Sequence, residues 1–427
     1  QGVLRMASGN GKKENVVALC DVDAERASAA FQQYPKASRY KDFRRMLEEQ
    51  KDIDAVIIST PDHTHAVATM AAMQLGKHVY VEKPLTHNIR EARILKEAAE
   101  RYGVVTQMGN QGASGDGVRR MKAWVKAGII GDVHQVYVWT NRPVWPQGIP
   151  VPEEKMAVPD TLDWDLWLGP AAMRPYHPTY LPFNWRGWWD FGTGALGDMG
   201  CHLIDPAFIA LDLGTPIRAE ASTSQQYSQP WQANHYPESC PASTIVHLDF
   251  EARGDMPPVR LSWYDGGLMP PRPEWLKPGE PMGDDSGGCI IIGERGGILC
   301  GTYGSNPTLL PTSAMEGFQE PEPDMPPVPE GHQRQWVEAI KEGGKTSSPF
   351  DYASALTETI LVGNLAIHTF NRRVLRKGKK PSDWDAWEFP GRGLQLEWDS
   401  QNLMVTNLDD ANEFVGRDYR EGWKLMP

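Results

Sequence analysis

The chain has 427 residues and a formal net charge of −12, and its basic residues form only short clusters. This charge argues against a nucleic-acid groove, and no apolar run is long enough to span a bilayer. The length exceeds what one typical hydrophobic core accommodates, so we expect two domains. The five cysteines are scattered and form no C-x-x-C pair, which favours free buried thiols over disulfides or a zinc site.

Strand and helix patterns alternate from the N-terminus to about residue 128. The predicted strands are 16–21, 55–59, 78–81 and 104–108, and the predicted helices are 24–34, 43–49, 66–75, 89–102 and 117–127. Strict alternation predicts a parallel, doubly wound sheet with right-handed crossovers. The chain opens as Gln1-Gly2-Val3, in a pattern typical of a helix interior. We therefore expect a first strand ahead of residue 1.

The pattern changes from Val133 onward. Strands are predicted at 133–140, 219–224, 244–250, 259–264, 288–292 and 297–301, with helices at 332–342 and 354–371. Few helices separate these strands, which predicts a largely antiparallel sheet in a second domain. A Pro-rich stretch at 143–182 is dense in Trp and Tyr, so we expect an ordered, packed loop there.

The segment 55–84 delivers a lysine to the edge of the predicted parallel sheet. A buried strand ends at Thr60-Pro61, a helix follows to Gly76, and a second strand ends on Glu82-Lys83-Pro84. Open α/β sheets bind ligands at the carboxyl edge of their strands, so Lys83 is a candidate functional residue. The alternative is a solvated lysine at a strand-to-loop corner.

Asp21 ends the first predicted strand, where an acidic side chain accepts hydrogen bonds from an adenosine ribose. Gly2 lies at the right distance to be the last glycine of a G-x-G-x-x-G motif. The alternative for Asp21 is a helix-capping aspartate in a turn, without any role in cofactor binding.

A glycine-rich loop, 192–197, leads into a predicted helix that carries Asp198 and His202. Residues four apart share one helix face, so the carboxylate can orient the imidazole as a general base. The alternative is an N-capping aspartate and a packed histidine. His63 and His65 suggest a metal pair, but no third ligand follows at a familiar spacing, so we expect no metal.

Together, Glu82-Lys83-Pro84, Thr60-Pro61-x-x-x-His65 and Asp198-x-x-x-His202 resemble the glucose-fructose oxidoreductase, inositol dehydrogenase and rhizopine catabolism (Gfo/Idh/MocA) family. The resemblance implies an α/β protein in two parts. These are an NAD-binding Rossmann domain at 1–128 and an α+β substrate-binding and oligomerisation domain with an open, mostly antiparallel sheet at 129–427.

The resemblance also assigns site residues. It implies that Lys83 touches nicotinamide and substrate, that Asp198 is its acidic partner and that His202 is the base. Matching positions along the cofactor are Gly2, Asp21, Thr60, Pro61, His65, Glu82, Lys83 and Asn110. The site is expected in the cleft between the domains. Proposed walls for a sugar are Trp185, Arg186, Trp189 and Tyr264, each of which could instead be a core residue.

The main functional prediction is an NAD-dependent oxidoreductase acting on a secondary alcohol of a sugar, glycoside or cyclitol. One alternative is an NAD-dependent glycosidase that works through a transient 3-keto sugar, and another is a non-catalytic sensor. NAD is expected over NADP because Asp21 would repel a 2′-phosphate.

The predicted partners are a small carbohydrate-like substrate and a second copy of the chain, as a homodimer or homotetramer; no nucleic acid or membrane is expected. The predicted location is the cytoplasm, where free thiols persist. A twin-arginine signal ahead of residue 1 would instead indicate export.

Overall fold

The computed structural model describes residues 2–9 and 11–425. In its first part, strands and helices alternate as predicted, with one further strand at 38–40, between the first two predicted helices, that the sequence pattern did not predict. The strands are β1 (Ala18–Cys20), β2 (Ser38–Tyr40), β3 (Ala55–Ile58), β4 (His78–Val81) and β5 (Thr106–Met108). The helices are α1 (Gly2–Ala7), α2 (Ser28–Gln33), α3 (Phe43–Glu49), α4 (Asp62–Gln74), α5 (Ile89–Tyr102) and α6 (Asp116–Lys126).

These five strands pair in parallel, but within the described residues they form two separate pieces. β1 pairs with β2, and β4 lies between β3 and β5. The break lies between β1 and β3, where the doubly wound order has a strand that precedes both in the chain. The strand expected before residue 1 lies outside the described residues.

Local signals explain the best-defined helix of this part. Asn88 and Glu91 form a reciprocal capping box at the start of α5, and Gly103 ends the helix with a φ of 60°. β4 is apolar and buried, as expected for a strand covered on both faces.

The second part contains a large mixed sheet of nine strands among the described residues. Its long strands are β6 (Val133–Thr140), β7 (Arg218–Thr223), β10 (Thr244–Phe250), β11 (Val259–Tyr264), β12 (Gly287–Gly293) and β13 (Gly296–Cys300). Shorter strands are β14 (Thr308–Leu310), β17 (Leu396–Asp399) and β18 (Met404–Val405). Two small ladders lie outside it, formed by β8 (Tyr227–Gln229) with β9 (Gln232–Ala233) and by β15 (Val374–Leu375) with β16 (Trp387–Glu388).

The order across this sheet is β14-β13-β12-β6-β11-β10-β7-β17-β18. Only β6 and β11 pair in parallel; every other neighbouring pair is antiparallel. The α/β fold with a mostly antiparallel second sheet is therefore confirmed.

Helices cover one face of this sheet. The helices of this part are α7 (Trp164–Leu168), α8 (Gly194–Leu203), α9 (Asp205–Ala210), α10 (His332–Glu342) and α11 (Phe350–Asn371). α11 packs on β7, on α8 and on α5 of the first part, whereas α10 packs beside α1 and Tyr80. The last helices thus return to the parallel strands, and the boundary at residue 128 stays a prediction.

The other face of the sheet carries an apolar cluster of its own, some of whose side chains are only partly buried. Trp139, Tyr264 and Ile290 lie in a buried cluster there, partly covered by Trp275 and Leu276 of a Pro-rich loop. The most exposed large side chains lie elsewhere, since Trp231 and Trp384 are each 85% exposed.

The Trp-rich stretch 143–182 is ordered, as predicted. Trp164 stacks on Trp167 at 4.8 Å between ring centroids, and Tyr180 packs edge-on against Trp188. These rings form a second hydrophobic cluster next to α8.

No helix within the described part of the chain is long and apolar enough to cross a membrane. The same residues contain no group of three or more potential ligands that could hold a metal ion. The five cysteines are free, and all but Cys20 are buried.

Candidate active site

Lys83 and Asp198 form an ion pair that joins the two parts of the molecule. Lys83 is the second residue after β4, and its Nζ lies 2.8 Å from Asp198 Oδ1 and 2.5 Å from the Asp198 carbonyl oxygen on α8. Burial alone would lower the pKa of Lys83, but the Asp198 carboxylate outweighs it and raises the pKa above its ordinary value. Lys83 is therefore a charged hydrogen-bond donor at neutral pH.

Asp198 also binds a second cation. Its Oδ1 accepts a hydrogen bond from Arg186 Nε at 3.0 Å. Burial opposes the charge, yet Lys83 and Arg186 together hold the pKa of Asp198 well below its ordinary value. The carboxylate stays ionised and fixes the position of both cations.

His202 lies one turn after Asp198 on α8 and is only 5% exposed. Burial, and then the Lys83 charge, lower the pKa of His202 well below its ordinary value, so the imidazole is neutral at pH 7. The sequence predicts a hydrogen bond from His202 to the Asp198 carboxylate, but the structure has none, and Asp198 Oδ1 accepts from Lys83 and Arg186. Instead, the ring of Tyr303 packs edge-on against His202 at 4.7 Å between centroids.

Aromatic rings surround Arg186 on the outer side of the pair. The guanidinium carbon lies 4.2 Å from the ring centre of Trp185 and 4.3 Å from that of Phe183. Such stacking holds the planar guanidinium in place. Arg186 thus lies beside Asp198 and Trp185 packs on its guanidinium, while their contact with a sugar stays a prediction.

Two predicted wall residues lie elsewhere. Trp189 packs against His368 at 4.0 Å between ring centroids, and its backbone carbonyl oxygen lies 2.7 Å from His87 Nε2. Tyr264 lies on the outer face of the large sheet, while its neighbour Trp263 faces the helices. Alternating residues of a strand point to opposite faces, so Tyr264 lies in the outer cluster as a core residue, which is the alternative that the sequence left open for it.

The turn after β3 is held by His65. Its two ring nitrogens lie 2.9 Å from the Thr60 carbonyl oxygen and 2.8 Å from the Pro84 carbonyl oxygen. His65 is 1% exposed, whereas Thr60 is exposed at the end of β3. The buried histidine therefore ties together the two turns that end β3 and β4, and Pro61 precedes α4 between them.

The residues after β5 fit a polar ligand. Asn110 is fully buried beside the Asp205 carboxyl group, and its amide makes no hydrogen bond of good geometry among the described residues. An unsatisfied buried amide is costly, and a carboxamide such as that of nicotinamide would satisfy both its donor and its acceptor. Gly109 leaves room for Glu82, since a Cβ there would meet the Glu82 carboxylate at 2.7 Å.

Asp21 lies at the end of β1, on the wall of a cavity of about 550 Å³ that Arg39 and Lys41 also line. Its Oδ1 accepts a hydrogen bond from the Asp23 backbone, and the side chain is half-buried. Gly2 is the first residue of α1. Their roles toward a cofactor stay predictions.

Sequence reasoning missed two residues near the ion pair, Asp62 and Tyr303. Asp62 is buried at the start of α4 and accepts a hydrogen bond from Thr193 at 2.7 Å, which links the two parts of the chain again. Tyr303 stands between two glycines in a short loop, and those glycines were the only signal.

Both parts of the chain resemble known proteins. The model of an oxidoreductase family with an NAD-binding Rossmann fold matches residues 3–110, and that of its C-terminal alpha/beta domain matches residues 115–236. Inositol 2-dehydrogenase of Salmonella paratyphi B is 31% identical over 136 residues, which are 31% of this chain and 40% of that protein. The match thus spans two-fifths of the length of that relative.

Solved structures share the fold. The WlbA dehydrogenase from Bordetella pertussis, in complex with NADH and UDP-GlcNAcA, has a TM-score of 0.56 at 16% identity, covering 86% of this chain and 92% of that one. Levoglucosan dehydrogenase in complex with NADH and L-sorbose has a TM-score of 0.54 at 17% identity, covering 82% and 87%. The family models, together with the Lys83–Asp198 geometry, lead to one conclusion: the chain belongs to the Gfo/Idh/MocA oxidoreductase family, and its N-terminal part is an NAD-binding Rossmann domain.

Proposed function

We propose that this protein is an NAD-dependent oxidoreductase that moves a hydride between the nicotinamide and a secondary alcohol of a sugar, glycoside or cyclitol. The observation that carries the proposal is the buried Lys83–Asp198 pair, which brings the edge of the Rossmann domain to the helix of His202. The inositol 2-dehydrogenase relative supports a polyol substrate by its name.

The proposed chemistry divides proton and charge between two residues. A bound nicotinamide dinucleotide would accept or supply the hydride. Lys83, which is charged, donates a hydrogen bond to the substrate oxygen and stabilises the negative charge that develops there. His202, which is neutral, takes the hydroxyl proton. Asp198 and Arg186 act as positioning residues because they fix the Lys83 ammonium.

The first experiment follows nicotinamide absorbance of the full-length protein with a panel of inositols, sugars and glycosides. We expect a net absorbance change with at least one member. The Lys83→Ala and His202→Ala variants should each lower single-turnover hydride transfer by about 10²–10⁴-fold while calorimetry finds NAD bound. Lys83→Arg should fail as well, since a guanidinium cannot replace the compact ammonium.

The control is Lys51→Ala, which removes an exposed lysine ahead of β3. Its hydride transfer should match that of the wild type. Wild-type transfer in His202→Ala would remove His202 as the base. Release of an aglycone without any net absorbance change would favour the glycosidase, which no feature of the site favours at present.

We propose NAD as the preferred dinucleotide. Asp21 would accept from a ribose 2′-hydroxyl and repel a 2′-phosphate, but Arg39 and Lys41 line the same cavity. The Asp21→Ser variant should therefore bind NADP more tightly and lose most of its NAD preference, as measured by calorimetry with both dinucleotides. Equal affinity of the wild type for NAD and NADP would contradict this assignment.

We propose the cytoplasm as the location, which the free thiols of all five cysteines support. Fractionation of cells expressing the natural gene tests this, and recovery of the protein outside the cytoplasm would overturn it.

A further inference from the structure

Tyr303 has a backbone conformation that is unusual for its residue type. Its φ is 64° and its ψ is 18°, in the left-handed region that favours glycine. Its side chain is nevertheless 46% exposed, so burial of the ring does not account for the conformation. Residues held in this region cluster at functional sites when the surrounding structure fixes them.

Hydrogen bonds on both sides fix the Tyr303 loop. Asp284 accepts from the Thr302 backbone at 2.7 Å and from its hydroxyl at 2.8 Å. The Gly301 backbone donates to the Ser305 carbonyl oxygen at 2.9 Å. The loop is therefore anchored to the large sheet immediately before and after Tyr303.

The backbone of the same loop lies so close to two glycines of the Rossmann domain that neither glycine has space for a side chain. A Cβ on Gly112 would lie 3.0 Å from Tyr303 Cα, and a Cβ on Gly117 would lie 1.9 Å from the Gly304 carbonyl oxygen. Gly112 follows Asn110 by two residues. Tyr303 is thus held at the carboxyl edge of the parallel strands, between Asn110 and His202.

The Tyr303 ring contacts the imidazole of His202 and can therefore affect its orientation. The His202 Nδ1 is buried and has no hydrogen-bond partner among the described residues, so no hydrogen bond at that atom orients the ring. The Tyr303 ring packs edge-on against it, at an interplanar angle of 68°. The charged or titratable groups that act on His202 are Lys83, Asp198, His332 and Arg142. The described residues offer the Tyr303 hydroxyl no partner.

We propose that Tyr303 positions the His202 imidazole by ring packing and contacts the substrate through its free hydroxyl, as a hydrogen-bond partner for one hydroxyl of a carbohydrate or cyclitol. This inference rests on the proposed function. Tyr303 therefore sets specificity as well as the orientation of the base.

The test uses full-length protein with NAD bound and three variants. Tyr303→Gly removes the ring but suits the backbone conformation, and Tyr303→Phe removes only the hydroxyl. The matched control is Asp212→Gly, because Asp212 also has a positive φ, of 46°, and its side chain is exposed in a surface ion pair. Melting temperature, kcat and KM are measured, together with the His202 titration by NMR of labelled imidazoles.

For Tyr303→Gly we expect an unchanged or higher melting temperature, a kcat/KM at least tenfold lower, and a His202 titration that moves up toward its ordinary range. For Tyr303→Phe we expect a several-fold higher KM with a nearly unchanged kcat and an unchanged His202 titration. Asp212→Gly should leave kcat, KM and the titration as in the wild type.

Wild-type kcat/KM and an unchanged His202 titration in Tyr303→Gly would overturn the proposal, while hydride transfer by the wild type would leave the proposed function intact. If Tyr303→Gly does not fold, an unchanged KM in Tyr303→Phe overturns the substrate contact. If the wild type transfers no hydride with any substrate, the proposed function fails, and the NMR titration still decides whether Tyr303 positions His202.

Discussion

Lys83 and His202 share a buried environment but respond to it in opposite ways. Burial disfavours the charged form of both side chains. Lys83 keeps its charge because its Nζ lies against Asp198, whereas His202 has no such contact and loses it. One carboxylate therefore selects which of the two neighbours is the cation and which is the base.

This difference predicts the pH dependence of hydride transfer in the direction of alcohol oxidation. His202 must be neutral to accept a proton, so activity is lost as the pH falls through its pKa. Because that pKa lies well below 6.5, the acid limb should lie well below pH 6.5, and the rate should be flat from there past pH 8. Single-turnover measurements across pH 4–10 check this; an acid limb at or above pH 6.5 would contradict a buried neutral base.

Asp198→Asn tests the same argument from the side of Lys83. Without the carboxylate, burial and the Arg186 charge act on Lys83 unopposed by Asp198, and its pKa should fall below 10.5. The variant should therefore acquire an alkaline limb below pH 10 that the wild type lacks, in addition to a lower plateau. A plateau loss with an unshifted alkaline profile would mean that Asp198 only orients its neighbours.

At the scale of elements, the C-terminal residues 415–423 act as a strap across the Rossmann domain. Arg417 and Tyr419 both bind the Glu91 carboxylate near the start of α5, and the Arg90 backbone donates to the Val415 carbonyl oxygen at 3.1 Å. At the far end, Arg44 stacks over Trp423 at 4.4 Å. The strap thus connects the last residues of the chain to α3 and α5.

Glu91 is 2% exposed and lies at the centre of this strap. Glu91→Ala should lower the free energy of unfolding by about 3 kcal/mol, since it leaves the Arg417 charge without its carboxylate and removes half of the capping box. Denaturant titration measures the effect. Glu97→Ala, at an exposed position of the same helix, should stay within about 0.5 kcal/mol of the wild type. Equal stabilities of the two variants would mean that the strap contributes little.

Helices and strands with local sequence signals were predictable, whereas contacts between residues far apart in the chain were not. α5 and β4 have the predicted bounds, because a capping box, a terminal glycine and an apolar run are all readable along the chain. The spacing of Asp198 and His202 gave their common helix but not the carboxylate's partner, since Lys83 is 115 residues away. The face of Tyr264 was not predictable, because alternation gives two faces without saying which one the helices cover.

For the whole molecule, the solvent-accessible surface area is larger than expected for a compact monomer. A compact monomer of 47.7 kDa exposes about 16,000 Å², whereas this chain exposes 19798 Å². Part of the difference lies in protruding segments, where Tyr227, Trp231 and Trp384 present exposed aromatic rings. The outer face of the large sheet adds a smaller share, since Tyr137, Ile245 and Ile292 on it are partly buried and Met404 of β18 is 39% exposed.

We therefore expect a homodimer, or a tetramer built from it, in which a second copy covers the rings of Trp231 and Trp384. Light scattering at micromolar concentration measures the mass. The double variant Trp231→Ser/Trp384→Ser should shift the mass toward that of the monomer. Its melting temperature, measured at a concentration where the wild type is also monomeric, should match that of the wild type, since both side chains are 85% exposed. A dimer that persists in the double variant would place the interface on the large sheet instead, and a monomeric wild type would contradict self-association altogether.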